Sequence, residues 1–238
     1  MQQGTVMDLY YKEVIGIIDE IRATEREHIL TAARMIADQV KQDKLVYVFG
    51  PGGHSNLAAM EVFFRAGGLM HVSAILNQET MLSNGALKSM QTERLPGYGK
   101  IVIEDYGIGE GDLLWVVNAY GINSATIDAA LTAKARGAKV IGVSSHEHAN
   151  TCPKDHPARH PSKQNLHEIV DCSIDCKVKL GDATIELEGF PQKIGALSTY
   201  ANAYVMNSVV VEAVNMLVNE GVEPPVWRSG NCPGGDEW

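Results

Sequence analysis

Three features of the sequence predict an α/β architecture built on a parallel sheet. The stretch Leu113–Ser144 begins as an apolar run (Leu113–Val117) and turns through Asn118-Ala119-Tyr120-Gly121-Ile122-Asn123-Ser124. It continues with helical spacing until Gly137 and ends in a second apolar run, Val140–Val143. Strand–helix–strand units of this kind connect right-handed and leave their two strands parallel. Earlier in the chain, Leu45–Phe49 runs into Gly50-Pro51-Gly52-Gly53-His54-Ser55-Asn56 and then a helical segment, a second strand–turn–helix edge. Both polar turns then sit at the carboxyl edge of one sheet, each ahead of a helix. There unpaired N–H groups and the helix dipole favour an anion. A phosphate-bearing ligand held between two facing halves is the expectation.

A chain of 238 residues, 45% apolar and 21% charged, suits one large domain with a substantial core. Residues 1–220 are expected to form that domain, and 221–238 a tail rich in Pro and Gly. A net charge of −9 argues against nonspecific nucleic-acid binding and against anionic membranes as partners. The first residues carry no basic-then-apolar pattern, and no apolar run approaches bilayer length, so a cytoplasmic location is expected. The four cysteines form no CxxC pair; Cys172 and Cys176 share one face of a predicted strand and are read as reduced core residues.

Taken in order, Asp8–Lys41 reads as a helical hairpin. Leu9, Val14, Ile17, Ile18 and Ile21 mark one stripe, and Ile29, Ala33, Ile36 and Val40 another. Thr24 and Glu27 fit a capping box between them. Leu45–Phe49 is a buried strand, Leu57–Ala66 a helix, Leu69–Leu76 a strand, Ala86–Glu93 a short helix and Lys100–Glu104 a further strand. After Ser145 comes an irregular loop carrying His146, His148, His156, His160 and His167 among prolines. Glu168–Val178 returns to strand, Asp182–Phe190 is a short strand or turn, and Ile194–Val218 is a long amphipathic helix.

In the first turn, Gly52 and Gly53 let the backbone approach an anion, and Ser55 can cap the helix and donate its hydroxyl. No Gly-Lys-Ser/Thr follows, and the third glycine of a dinucleotide fingerprint is missing. In the second turn, Asn118, Tyr120, Asn123 and Ser124 add side-chain donors.

This order of parts, from helical hairpin through Gly-rich turn with Ser to the polar turn and Gly137-Ala138-Lys139-Val140-Ile141-Gly142-Val143-Ser144, resembles the sugar isomerase (SIS) domain family over roughly Asp8–Val218. Within that family it is most similar to the phosphoheptose-isomerase-like phosphosugar-binding members. The resemblance implies a flavodoxin-like three-layer α/β/α sandwich, a homodimer or homotetramer, and a sugar phosphate as partner. It places Ser55 at the first-turn serine and Asn118, Tyr120, Gly121 and Asn123 at the S-x-S-G-x-T positions of the second turn. Two serines and the threonine are thus replaced by amides and a phenol, and the first turn is one residue longer than usual.

Aldose–ketose isomerisation through an enediol needs a base beside the sugar. Glu61, on the helix after the first turn, is the candidate base, and His54 within the turn the candidate for ring opening or phosphate contact. Glu61 paired with Arg65 on a solvated face, and His54 as a surface loop histidine, are the competing readings. Glu93, Arg94 and Lys88 read as a solvated face. Ser198 and Thr199, at the start of the last helix, are candidate ligand contacts. Arg159 and His160 are expected to close over the sugar. No cofactor or metal is expected. Zinc is the alternative, suggested by His146-x-His148 and His156-x₃-His160 and by its use in phosphoheptose isomerases. A non-catalytic phosphosugar-binding regulatory module and an amino-sugar-phosphate lyase or etherase stand as alternatives to the isomerase.

Overall fold

A computed structural model describes residues 4–235. Five parallel strands form the sheet: β1 (Val46–Phe49), β2 (Val72–Ile75), β3 (Leu113–Val117), β4 (Lys139–Ser144) and β5 (Cys172–Asp175). Their order is β2-β1-β3-β4-β5. The chain leaves β1 toward β2 on one side and resumes at β3 on the other. The carboxyl ends of β1 and β3 therefore flank the point where the winding reverses, which is where doubly wound sheets open a crevice.

Strict alternation along β3 splits the core into two layers. Leu113, Trp115 and Val117 face α2 (Arg26–Lys41), α3 (Ser55–Val62) and α9 (Ser198–Asn219). Leu114 and Val116 face α5 (Tyr98–Asp105), α6 (Ser124–Ala135) and α8 (Leu166–Ile169). Cys172 and Cys176 both join the first layer as free, buried thiols, as their even spacing predicts. The result is the expected three-layer sandwich. Helix α9 is long and apolar enough to span a bilayer by composition, but it packs against α1 (Val6–Thr24), α2 and α3.

Several boundaries differ from the sequence reading. At the bend between α1 and α2, Glu25 is the N-cap residue of α2 and makes no side-chain cap, while the Thr24 hydroxyl donates back to the Glu20 carbonyl at 2.9 Å. The capping box lies instead at Thr5 and Asp8, at the start of α1. Helix α3 stops at Val62, because Phe63 turns extended and residues 67–70 pair with the tail. Val226 bridges Leu69, and the Trp227 ring meets Phe64 edge-on at 4.8 Å.

Lys100–Glu104 is helix, not strand. Its run of β-branched residues mimics a strand, but β3 already has β1 and β4 as neighbours. Gly99, Val102 and Ile103, at helical spacing, are buried, with Val102 and Ile103 in the α5–α6 layer. An added Cβ on Gly99 would collide with the Ala125 carbonyl.

The histidine-rich loop carries two helices, α7 (His146–Thr151) and α8, so Glu168 is helical rather than strand. A hairpin, β6 (Ala183–Leu187) and β7 (Phe190–Ala196), takes the first residues assigned to the last helix. Helix α4 (Ala86–Glu93) falls where the sequence placed it.

Candidate functional site

The two turns meet through one side chain. Asn118, at the end of β3, donates from Nδ2 to the Pro51 carbonyl at 2.9 Å and to Ser55 Oγ at 3.3 Å, both in the first turn. Its Oδ1 accepts from the Tyr120 and Gly121 amides at 3.1 and 2.9 Å, folding the second turn around it. Asn118 is 4% exposed, so these bonds are made away from water. Gly121 has φ +64°, and an added Cβ would come within 2.6 Å of the Ser144 side chain; the turn tolerates no larger residue there.

A hollow of about 160 Å³ opens over this junction, lined by Gly52, Gly53, His54, Ser55, Asn118, Tyr120, Asn123 and Ser198 from the predicted set, with Glu93, Ala119 and Asp182 added. Helices α3 and α6 begin beside it, and neither has a side-chain N-cap bond. The first amides of α6 are thereby left to an incoming anion, whereas in α3 the Asn56 and Leu57 amides already donate to the Gly52 and His54 carbonyls, each at 3.1 Å. Helix α9 differs: Asp182 accepts from the Leu197 and Ser198 amides at 2.9 and 2.8 Å and from the Ser198 hydroxyl at 2.6 Å. Its positive end is already neutralised.

Gly121 and Ser124 are not among the lining residues. Gly121 shapes the turn, and Ser124 is fully buried, its Oγ without a partner among the described residues. Glu61 and Thr199 line a neighbouring hollow of about 370 Å³ between α3 and α9, which shares His54 with the first. There Glu61 Oε1 accepts from Asn207 Nδ2 at 3.1 Å and pairs with Arg65 at 3.3 Å.

Glu93 is the residue that the sequence reading misplaced. It is not on a solvated face: its Oε1 accepts from Asn123 Nδ2 at 2.8 Å, and its Oε2 fills the space an added Cβ on Gly52 would need. Gly52, at φ +122°, permits this approach. Burial raises the Glu93 carboxyl to about 7, against the opposing pull of Arg94 and of the Asn123 amide. Local sequence carried no signal for this, since Glu93 is remote in sequence from both turns and reaches them only because α4 folds over the first.

Arg159 and His160, expected to close over the sugar, line neither hollow and are engaged with the protein's own groups. Arg159 is buried and spends its guanidinium on the Pro153, Ala149 and Cys152 carbonyls and on Asn165 Oδ1, which holds the loop in place. His160 bonds Asp128 on α6 at 3.1 Å. His148 stacks on the Tyr120 ring at 4.0 Å and stays neutral, because burial and the nearby Arg159 and His156 lower it to about 4. Burial also raises the Tyr120 phenol, with Asp182 and Glu93 adding to the shift. His146 packs on His167 at 4.4 Å. Among the described residues, no three His, Cys, Asp or Glu side chains gather as a metal-ligand group.

Residues 9–145 match the SIS domain family model. A UPF0309 protein of Caldanaerobacter subterraneus is 36% identical, the match covering 98% of this chain and 94% of that one. A UPF0309 protein of Geobacillus thermodenitrificans is 34% identical over 98% and 91%. Phosphoheptose isomerase from Neisseria gonorrhoeae superposes with a TM-score of 0.57 at 14% identity, covering 88% of this chain and 96% of its own. At these identities the superposition speaks to fold. Taken with the strand order and the two facing turns, the family match establishes that the chain belongs to the SIS domain family.

Proposed function

We propose that this protein binds a phosphorylated sugar at the two turns and interconverts its aldose and ketose forms. The Asn118 bridge carries the reading: it brings the open start of α6 and the Ser55 hydroxyl to one hollow at the point where the sheet reverses. Backbone N–H groups with hydroxyl and amide donors suit the oxygens of a phosphate ester. Past His54, the larger hollow lined by Glu61, Asn202 and Thr199 has room and polar partners for the remaining hydroxyls of the sugar. Asn202 is 3% exposed, and its Oδ1 has no partner among the described residues, which suits a sugar hydroxyl. Isomerisation needs a carboxylate able to lift a carbon-bound proton, and both hollows offer one: Glu93 in the first and Glu61 in the second. A cytoplasmic homo-oligomer belongs to the same proposal.

A non-catalytic phosphosugar sensor is the second reading. A structural neighbour, the Vibrio vulnificus NanR protein complexed with ManNAc-6P, superposes with a TM-score of 0.50 at 15% identity over 92% of this chain and 65% of its own, in keeping with the sugar-phosphate binding that both readings share.

A thermal-shift screen of hexose, heptose and amino-sugar phosphates against the unphosphorylated sugars tests the binding. A shift confined to phosphate esters is expected, and equal shifts with the free sugars contradict it. Deuterium from solvent entering a carbon of the ligand separates the isomerase from the sensor.

A further inference from the structure

We infer that Glu93, rather than Glu61, is the catalytic acid–base residue that carries the proton between adjacent carbons of the sugar phosphate. This rests on the phosphosugar reading and names the group that performs its chemistry.

The two carboxylates differ in what holds them. Glu61 has both a cation and an amide on its Oε1, Arg65 at 3.3 Å and Asn207 at 3.1 Å. Glu93 is held by one amide, Asn123 Nδ2, and its second oxygen lies against the Gly52 backbone inside the hollow. Among the described residues no hydrogen bond is made to that oxygen, which leaves it to accept a proton from a ligand.

The position is fixed from several sides. Asn56 donates to the Gly52 carbonyl at 2.8 Å and to the Thr80 carbonyl at 3.0 Å, and Ser89 on α4 donates to the same Thr80 carbonyl at 2.7 Å. The helix that presents Glu93 is thus tied to the turn that receives it. A base held on a packed helix meets the geometric demand of proton transfer better than one on a loose loop. The charged and titratable groups around the hollow are His54 from the first turn, Tyr120 from the second, Asp182 from the hairpin and Arg94 beside Glu93. Burial among them brings Glu93 near 7, where carboxylate and carboxylic acid are both accessible at neutral pH.

The step balances without a co-reactant. The Glu93 carboxylate takes the proton from the carbon next to the carbonyl. The C–H electrons form the carbon–carbon double bond of the enediol, and the carbonyl π electrons pass to oxygen, which is protonated. Glu93, now the acid, returns its proton to the former carbonyl carbon. The neighbouring hydroxyl loses its proton as the new carbonyl forms. His54, on the lip shared by both hollows, is placed to relay the oxygen-bound proton.

The test compares the full-length wild type with Glu93→Gln, Glu93→Asp and Glu61→Gln on the hexose, heptose and amino-sugar phosphates that shift its melting, following carbon-bound deuterium uptake from heavy water. Glu93→Gln keeps the Asn123 bond and is expected to lower uptake at least 100-fold while binding the same esters within about tenfold of wild type. Glu93→Asp recovers part of the rate and keeps a pH-rate limb near 7, which the glutamine variant lacks. Uptake by Glu93→Gln within threefold of wild type overturns the assignment, as does loss of uptake in Glu61→Gln alone. A wild type that binds esters but takes up no deuterium overturns the acid–base role and leaves the binding reading intact. A wild type that binds no phosphate ester overturns both. A Glu93→Gln chain that melts early is judged by Glu93→Asp, whose rate must then fall below wild type with its pH limb preserved.

Discussion

Glu93 and Glu61 flank the same histidine, yet their surroundings ask different things of them. Glu61 lies between α3 and α9 with Arg65 and Asn207 as partners. Glu93 is pressed into a hollow beside two helix starts, with one amide for company and burial working against its charge. The contrast shows that proximity to a glycine-rich turn in sequence is a weak guide to which acid serves it. A helix folded over the turn from elsewhere in the chain reaches further into the site than the helix that follows the turn directly.

The largest effect should come from removing the residue on which the comparison depends. Asn118→Ala deletes four hydrogen bonds at a buried junction and leaves the Pro51 carbonyl and the turn amides without their partner. A loss of about 2–4 kcal/mol in urea denaturation is expected, together with loss of the melting shift from phosphate esters. A variant as stable as wild type would separate the two turns and dissolve the shared hollow.

Next in size is the pH dependence that Glu93 imposes. Its carboxyl titrates near 4.5 when unfolded and about 7 when folded, so between those values the folded chain retains a proton the unfolded chain has lost. Its contribution to stability is full below the unfolded value and falls as pH rises through the folded one. Relative to Glu93→Gln, wild type should therefore lose about 2–3 kcal/mol between pH 5 and 8. Parallel curves for the two proteins would place Glu93 in water.

His148 bends the curve at the other end. Held at about 4 when folded against 6.5 unfolded, it contributes stability above the unfolded value that is lost as pH falls toward the folded one. Chemical denaturation from pH 6.5 down to 4 should cost wild type about 2 kcal/mol more than His148→Phe, which keeps a ring against Tyr120. The smallest change is expected for Glu61→Gln, whose partly exposed ion pair is worth less than about 1 kcal/mol to stability.

The sheet and its two turns were legible in the sequence because they are local: an apolar run, a polar turn and a helical period each declare themselves within a dozen residues. Even the helix Ala86–Glu93 was visible, though not what its last residue does. The misreadings share a cause, which is context from distant parts of the chain. Ile101, Val102 and Ile103 have the composition of a strand, and only the absence of an open place beside β3 together with the fit of Gly99 against α6 makes them helical. Arg159 reads as a ligand contact until the loop carbonyls around it are seen to take its donors. Glu93 joins the site through Gly52 and Asn123, contacts that no window of sequence contains.

A crystal structure with a bound sugar phosphate addresses the convergence of the two turns most directly. The account predicts phosphate oxygens within hydrogen-bonding reach of Ser55 and of the first amides of α6, with Glu93 facing the sugar's carbonyl end. Phosphate seated outside that junction, with Ser55 and Asn123 untouched, would contradict it.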